Sequence, residues 1–366
     1  MKKCIVISDS FKGTLSSLEI CRIARESIPR FFPDCQVITA PVADGGEGLV
    51  ECFEAAIGAQ PVTVSVTGPL GKPVRATYAR KDKTAIVEMA AAAGLPMMGR
   101  NGDPARTTTY GVGELIRHAI ENGCTEILLG LGGSATNDGG CGCAAALGTG
   151  FYDIHGNRFI PTGATLEQIE TIRVPDGWTL PEDVRITVMC DVDNPLYGPT
   201  GAVHVFGRQK GADAAMITQL DQGLRKLDAV MKEDLGVSVA DVPGTGGGMG
   251  AGCMAVLHAE LKPGIECVLD TIGFDAMLED AELVITGEGR IDSQSVHGKV
   301  ISGIAKRTRL RGIPLIALVG GIAEGAPGMT WESRRCLAST ALHRIFMRLL
   351  RTAQNTISER WRIFCV

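Results

Sequence analysis

Apolar residues fall into two rhythms along this chain, and the change of rhythm divides it. Cys4 to Ser8 is a short continuous apolar run, then comes the loop Asp9-Ser10-Phe11-Lys12-Gly13. Next, Ser16-Ser17-Leu18-Glu19 has the spacing of a capping box, which predicts a helix ending by Pro29. Residues 37–40 predict a second buried strand, Ala43-Asp44-Gly45-Gly46-Glu47-Gly48 a loop, and 49–57 a helix stopped at Gly58. This β-α-β-α opening aims both loops out of strand ends in the same direction. Near residue 62 the period shortens to two. Residues 62–66, 74–78 and 84–88, separated by Gly68-Pro69-Leu70-Gly71 and Lys81-Asp82-Lys83, read as antiparallel strands.

Longer rhythms return downstream. A helix is predicted over 111–122, strands over 127–131 and 186–190, a helix around 214–233 and a glycine-rich stretch over 244–252. Short aliphatic strands at 283–286 and 315–319, joined by a helix from about 300 to 311, close the chain in α/β style. At 366 residues it exceeds the size at which one core usually stops growing, so two domains are expected.

Bulk properties narrow the function. A net charge of −5 and the lack of a basic stripe argue against nucleic acid as the main partner and favour a small ligand. The twelve cysteines are scattered without a Cys-x-x-Cys pair, which fits reduced thiols used as small core residues in a cytoplasmic protein. The apolar run after Met1-Lys2-Lys3 is too short for a secretory core, and no later run has the length of a membrane span.

Chemistry concentrates in glycine-studded loops. Backbone amides in such turns approach an anion closely, because no Cβ intervenes. Gly132-Gly133-Ser134-Ala135-Thr136-Asn137-Asp138-Gly139-Gly140 adds hydroxyl, amide and carboxylate groups suited to phosphate oxygens or magnesium. Lys12, past a strand end, is well placed to meet a transferring phosphoryl group. Asp44, Glu47, Asp138, Asp191, Asp193, Glu288 and Asp292 supply the carboxylates that phosphoryl transfer uses to hold magnesium and to orient or deprotonate a hydroxyl. No Gly-x-x-x-x-Gly-Lys-Ser/Thr occurs, so a P-loop is excluded. A rival lies in Gly246-Gly247-Gly248-Met249-Gly250-Ala251, which fits the Gly-x-Gly-x-x-Ala dinucleotide fingerprint with Asp270 about 20 residues on, as in an NAD-type dehydrogenase. A non-catalytic small-anion binding protein is a third reading.

With Cys190-Asp191-Val192-Asp193-Asn194-Pro195-Leu196, Gln209-Lys210-Gly211-Ala212 and Gly287-Glu288-Gly289-Arg290-Ile291-Asp292, the loops at residues 9, 43 and 132 make six motifs in a fixed order. In these the chain resembles the glycerate kinase family of bacterial two-domain enzymes, over about residues 4 to 322. The resemblance implies ATP-dependent phosphorylation of D-glycerate with magnesium, in the branch that makes 2-phosphoglycerate. It also implies a flavodoxin-like parallel-sheet domain, residues 1–62 plus 270–366, with a mixed α/β domain, 63–269, inserted into it. The active site is then expected where the loops converge between the domains. Lys12 would neutralise the transferred group, with Ser10 and the amides of Gly132, Gly133 and Ser134 on phosphate oxygens beside Thr136 and Asn137. Asp191 is the first choice as base, Asp44, Asp138 and Asp292 as magnesium ligands, and Arg290 as partner of a carboxylate or phosphate. A homo-oligomer is compatible with this reading.

Two departures stand out. Arg208 replaces the family's usual proline. After Gly321 the expected glycine-marked strand gives way to Pro327-Gly328-Met329-Thr330-Trp331-Glu332-Ser333-Arg334-Arg335-Cys336, and the remainder is rich in arginine without lysine or aspartate. A segment read in another frame and an ordinary divergent helix over 342–350 are both open; the first predicts an unpaired edge in the flavodoxin-like sheet.

Overall fold

The computed structural model describes residues 1–366 except 12–13, 44, 47, 100–101, 292–299, 323–361 and 366. In chain order the elements are β1 (Lys3–Ser8), α1 (Ser17–Ser27), β2 (Gln36–Pro41), α2 (Leu49–Ile57), β3 (Gln60–Thr67), β4 (Pro73–Lys81), β5 (Thr84–Glu88), α3 (Ala90–Ala93), α4 (Tyr110–Glu121), β6 (Glu126–Gly130) and α5 (Cys141–Ala146). There follow β7 (Gly150–Tyr152), β8 (Arg158–Phe159), β9 (Thr171–Arg173), β10 (Arg185–Met189), α6 (Ala202–Phe206), α7 (Ala214–Leu235), α8 (Met249–Leu257) and β11 (Glu260–Lys262). The last are α9 (Gly264–Thr271), α10 (Phe274–Met277), β12 (Leu283–Ile291), α11 (Val300–Leu310), β13 (Leu315–Ile322) and β14 (Arg362–Cys365). The chain divides into two compact units, one of residues 1–44, 51–59 and 263–366, the other of 45–50 and 60–262.

The first unit is built on a five-stranded sheet in the order β14-β13-β12-β1-β2. Counted along the chain this is 2-1-3-4-5, the flavodoxin-like order, with β2, β1, β12 and β13 parallel. Cys4, Val6, Ile285 and Ile316 pack with Ala24 and Ile28 of the α1 side in a closed apolar cluster. The capping box at the start of α1 is present: Glu19 donates its amide to the Ser16 hydroxyl, and the Glu19 carboxylate accepts from the Ser16 amide. β14 pairs antiparallel with β13 from Ile316↔Cys365 to Val319↔Arg362, which is not the unpaired edge that the other-frame reading would leave. Pro327 to Cys336 and 342–350 lie outside the described residues.

α11 is tied to α9 and α10 by one guanidinium. Arg307, with 10% of its side chain exposed, reaches Glu266 and Asp270 at 2.6 Å and Asp275 at 2.7 Å. Burial works against the Glu266 carboxylate, but hydrogen bonds from Arg307 and Lys306 overcome it and hold its pKa below the ordinary value. A carboxylate whose pKa is lower folded than unfolded stabilises the fold at neutral pH, and that contribution is lost as pH falls through the folded value. Arg307→Met should therefore cost the protein about 1–3 kcal/mol at pH 7, discounted because Asp270 and Asp275 are exposed enough to rehydrate. Urea titration at pH 7 and pH 3.5 checks this: the difference between variant and unchanged chain should shrink in acid.

The second unit carries a six-stranded sheet, β11-β10-β6-β5-β4-β3, and a small antiparallel one, β8-β7-β9. The predicted antiparallel run is β3-β4-β5, and from β5 onward the strands are parallel. Tyr78, Leu115, Leu129 and Val188 are fully buried between this sheet and its helices. Asp213 caps α7 by accepting from the Met216 amide, and Gly236 ends that helix in the left-handed conformation that glycine takes without strain. No helix among the described residues is long and apolar enough to cross a membrane.

Candidate active site

Because β5, β6 and β10 are parallel, the loops that follow them leave from one edge of the second sheet, the edge at which open α/β sheets bind ligands. Gly45 and Gly46 lie against that edge. Gly132 donates its amide to the Gly45 carbonyl at 3.2 Å. A Cβ on Gly132 would come within 2.5 Å of Gly46 Cα, one on Gly130 within 2.6 Å of the Gly45 oxygen, and one on Gly45 within 3.0 Å of Met189 Cβ. Glycine at these positions lets the loop touch the ends of both β6 and β10. Half-buried Asp191 begins just past β10. At the end of β5, Glu88 accepts from the Val50 amide at 2.7 Å and so fixes the start of α2 to this same edge.

Within the 132–140 loop the predicted roles separate. The Gly132 amide is already spent on Gly45, which removes it from the proposed phosphate donors. Gly133, at φ +70°, gives its carbonyl to the Leu95 amide, and Ser134 lies opposite Gly94 in a β-bridge. Thr136 and Asn137 are buried, and the Thr136 hydroxyl and the Asn137 side-chain nitrogen have no protein partner among the described residues. Asp138, expected among the magnesium ligands, turns its carboxylate to donors of its own chain. It is wholly buried, and its carboxylate accepts from the Thr109 amide at 2.7 Å, the Thr109 hydroxyl at 2.8 Å, the Gly140 amide at 3.1 Å and the Gly142 amide at 3.2 Å. Burial pushes its pKa up while these four donors pull it down. Asp138 is thus a clamp that binds the loop to the starts of α4 and α5.

Sequence reasoning missed two members of this cluster. Thr109 closes a run of buried threonines, and its hydroxyl also accepts from the Cys143 amide at 2.9 Å. Lys210, in a motif that carried no assigned role, is 3% exposed and donates its ammonium to the Thr136 carbonyl at 2.7 Å. The following Gly211, at φ +100°, takes a turn that no other residue takes easily. Arg208, the departure from the family's proline, is exposed and opens the short 3-10 turn leading into Lys210.

In the first unit the strand order reverses between β1 and β12, and the crevice outside such a reversal is the usual ligand site. Asp9 donates its amide to the Gly287 carbonyl at 3.0 Å, which ties the residue after β1 to the middle of β12. Ser10 follows, its amide turned onto the Asp9 carboxylate at 2.6 Å. Arg290 lies in β12, opposite Gly321 in the parallel register with β13. Lys12, Asp44 and Asp292 lie outside the described residues.

The sequence matches the Glycerate kinase family over residues 4–361. The chain belongs to the glycerate kinase family. It is similar to the Glycerate 2-kinase of Escherichia coli (strain K12), with 45% identity across 88% of this chain and 86% of that one. The Glycerate kinase of Bacillus cereus is 44% identical over the same shares. A crystal structure from Salmonella typhimurium LT2, provisionally described as glycerate kinase 2, superposes with a TM-score of 0.83 at 40% identity and covers 96% of each chain. The family is one of phosphotransferases, and its match extends beyond residue 322, where the motif resemblance stopped.

The dehydrogenase reading fails on geometry as well as on family. Residues 237–242 upstream of the Gly-x-Gly-x-x-Ala run form no strand, and Asp270 sits in α9 against Arg307 rather than at a strand end. The glycines serve packing: a Cβ on Gly247 would fall 1.9 Å from the Thr136 oxygen, and one on Gly252 2.0 Å from the Gly139 oxygen.

Proposed function

We propose that this chain transfers the γ-phosphoryl group of ATP to the 2-hydroxyl of D-glycerate, with magnesium. The observation that carries this reading is membership of the family at 45% identity to a relative named Glycerate 2-kinase, with the motif loops on the carboxyl edges of parallel strands. Asp191 accepts the proton of the attacking hydroxyl. Lys12 neutralises charge on the transferred group, and Ser10, Gly133, Ser134, Thr136 and Asn137 bind its oxygens and those of ATP. Arg290 holds the glycerate carboxylate through a charge-assisted pair. Asp44 and Asp292 remain the proposed magnesium ligands; their hard oxygens suit that ion, whereas Asp138 is consumed by its own chain. Bound magnesium supplies charge neutralisation on the phosphate oxygens. The reaction takes place in the cytoplasm.

The test couples the product to enolase, which takes 2-phosphoglycerate directly. Signal without added phosphoglycerate mutase is expected; signal only with mutase would assign the 3-phosphate, and no signal from soluble protein would defeat the kinase reading.

A further inference from the structure

A buried ammonium needs an explanation, since desolvating its charge is a cost that a methionine of similar length does not carry. Lys210 is seated with care. A Cβ on Gly211 would lie 2.1 Å from the Gly102 oxygen and one on Gly102 2.2 Å from the Lys210 oxygen, so two glycines let the backbones of 102 and 210–211 press together. From there the side chain reaches the carbonyl of Thr136, two residues before the wholly buried Asp138. Burial pulls the ammonium pKa down to about 8 against the opposing pull of Asp138. Its contact falls on a stretch of loop whose buried side-chain groups, the Thr136 hydroxyl and the Asn137 nitrogen, have no protein partner among the described residues.

We infer that Lys210 is a positioning residue for phosphoryl transfer: by gripping the Thr136 carbonyl, it fixes where Thr136 and Asn137 present themselves to the phosphate oxygens. This rests on the kinase reading. The cost of burial is then the cost of a rigid loop, and a displacement of order 1 Å in such a loop lowers turnover by about 10²-fold.

Lys210→Met and Lys210→Gln test it in the full chain. The glutamine keeps a donor without the charge. Expected for both is a folded protein whose kcat drops about 100-fold while KM for ATP and D-glycerate moves less than threefold, with hydrogen exchange faster over residues 132–140 and unchanged over β1 and β12. A structural filler would instead lower the melting temperature and leave the kcat of the folded fraction intact. Turnover within threefold of the unchanged chain, or loop exchange that does not change, would overturn the inference, as would failure of both variants to fold. If the unchanged chain turns over no D-glycerate, the function reading falls, and loop exchange still decides whether Lys210 fixes the loop.

Discussion

Asp191→Asn is expected to lower kcat by about 10³-fold while leaving KM for ATP and D-glycerate within about threefold. The substitution exchanges one carboxylate oxygen for an amide nitrogen, so the shape of the turn after β10 is kept. What goes is the ability to accept a proton. A hydroxyl is a poor nucleophile until its proton has somewhere to go, and in a loose phosphoryl-transfer transition state that destination matters late, after both substrates are bound. Hence the loss should appear in turnover and not in binding, which steady-state kinetics and calorimetric titration of each substrate would separate. Asp191 is half-buried just past the end of β10. Near-normal turnover would move the base to Asp292, and Asp292→Asn should then show the kinetic pattern expected here for Asp191.

The contrast between Asp191 and Asp138 shows how far a sequence carries such an argument. Both are carboxylates in loops after parallel strands, and pattern alone gives them equal claim to metal or proton chemistry. Their difference arises from tertiary partners: the donors that enclose Asp138 come from Thr109, Gly140 and Gly142, and Thr109 stands at the head of another helix, far along the chain. The strands were legible because their apolar runs are short and bounded, and the start of α1 because a capping box is local. The flavodoxin-like order was legible only through the family's motifs, since pairing β1 with β12 requires a contact across nearly the whole chain. Lys210 escaped notice because nothing local distinguishes a buried lysine from a solvated one. The partner of β13 was illegible for the same reason: β14 follows only at residues 362–365.

The sharpest structural consequence concerns the glycines first read as a dinucleotide fingerprint. Gly247→Ala is expected to destabilise the protein by roughly 4 kcal/mol or more, at the severe end for single substitutions. Two penalties combine. Gly247 has φ +72°, which costs an L-residue about 1 kcal/mol. The larger share is steric, because the new methyl would sit 1.9 Å from the Thr136 carbonyl oxygen, a backbone atom held in turn by Lys210. Relief requires moving the 136–139 segment, which breaks the bond from the Gly139 amide to the Gly247 carbonyl at 3.0 Å. Gly236→Ala is the control: it lies in the same unit at φ +70°, but its Cβ meets nothing within 4 Å, so only the conformational cost of about 1 kcal/mol should appear. Urea unfolding of both variants isolates the steric share as their difference. A dinucleotide loop predicts another outcome, in which Gly247→Ala folds normally and loses only a nucleotide. Equal stability of the two variants would mean that Gly247 does not abut the Thr136 carbonyl. A large gap would tie these glycines to the placement of the 132–140 loop, so that whatever the loop binds depends on residues more than a hundred positions downstream that never touch the ligand.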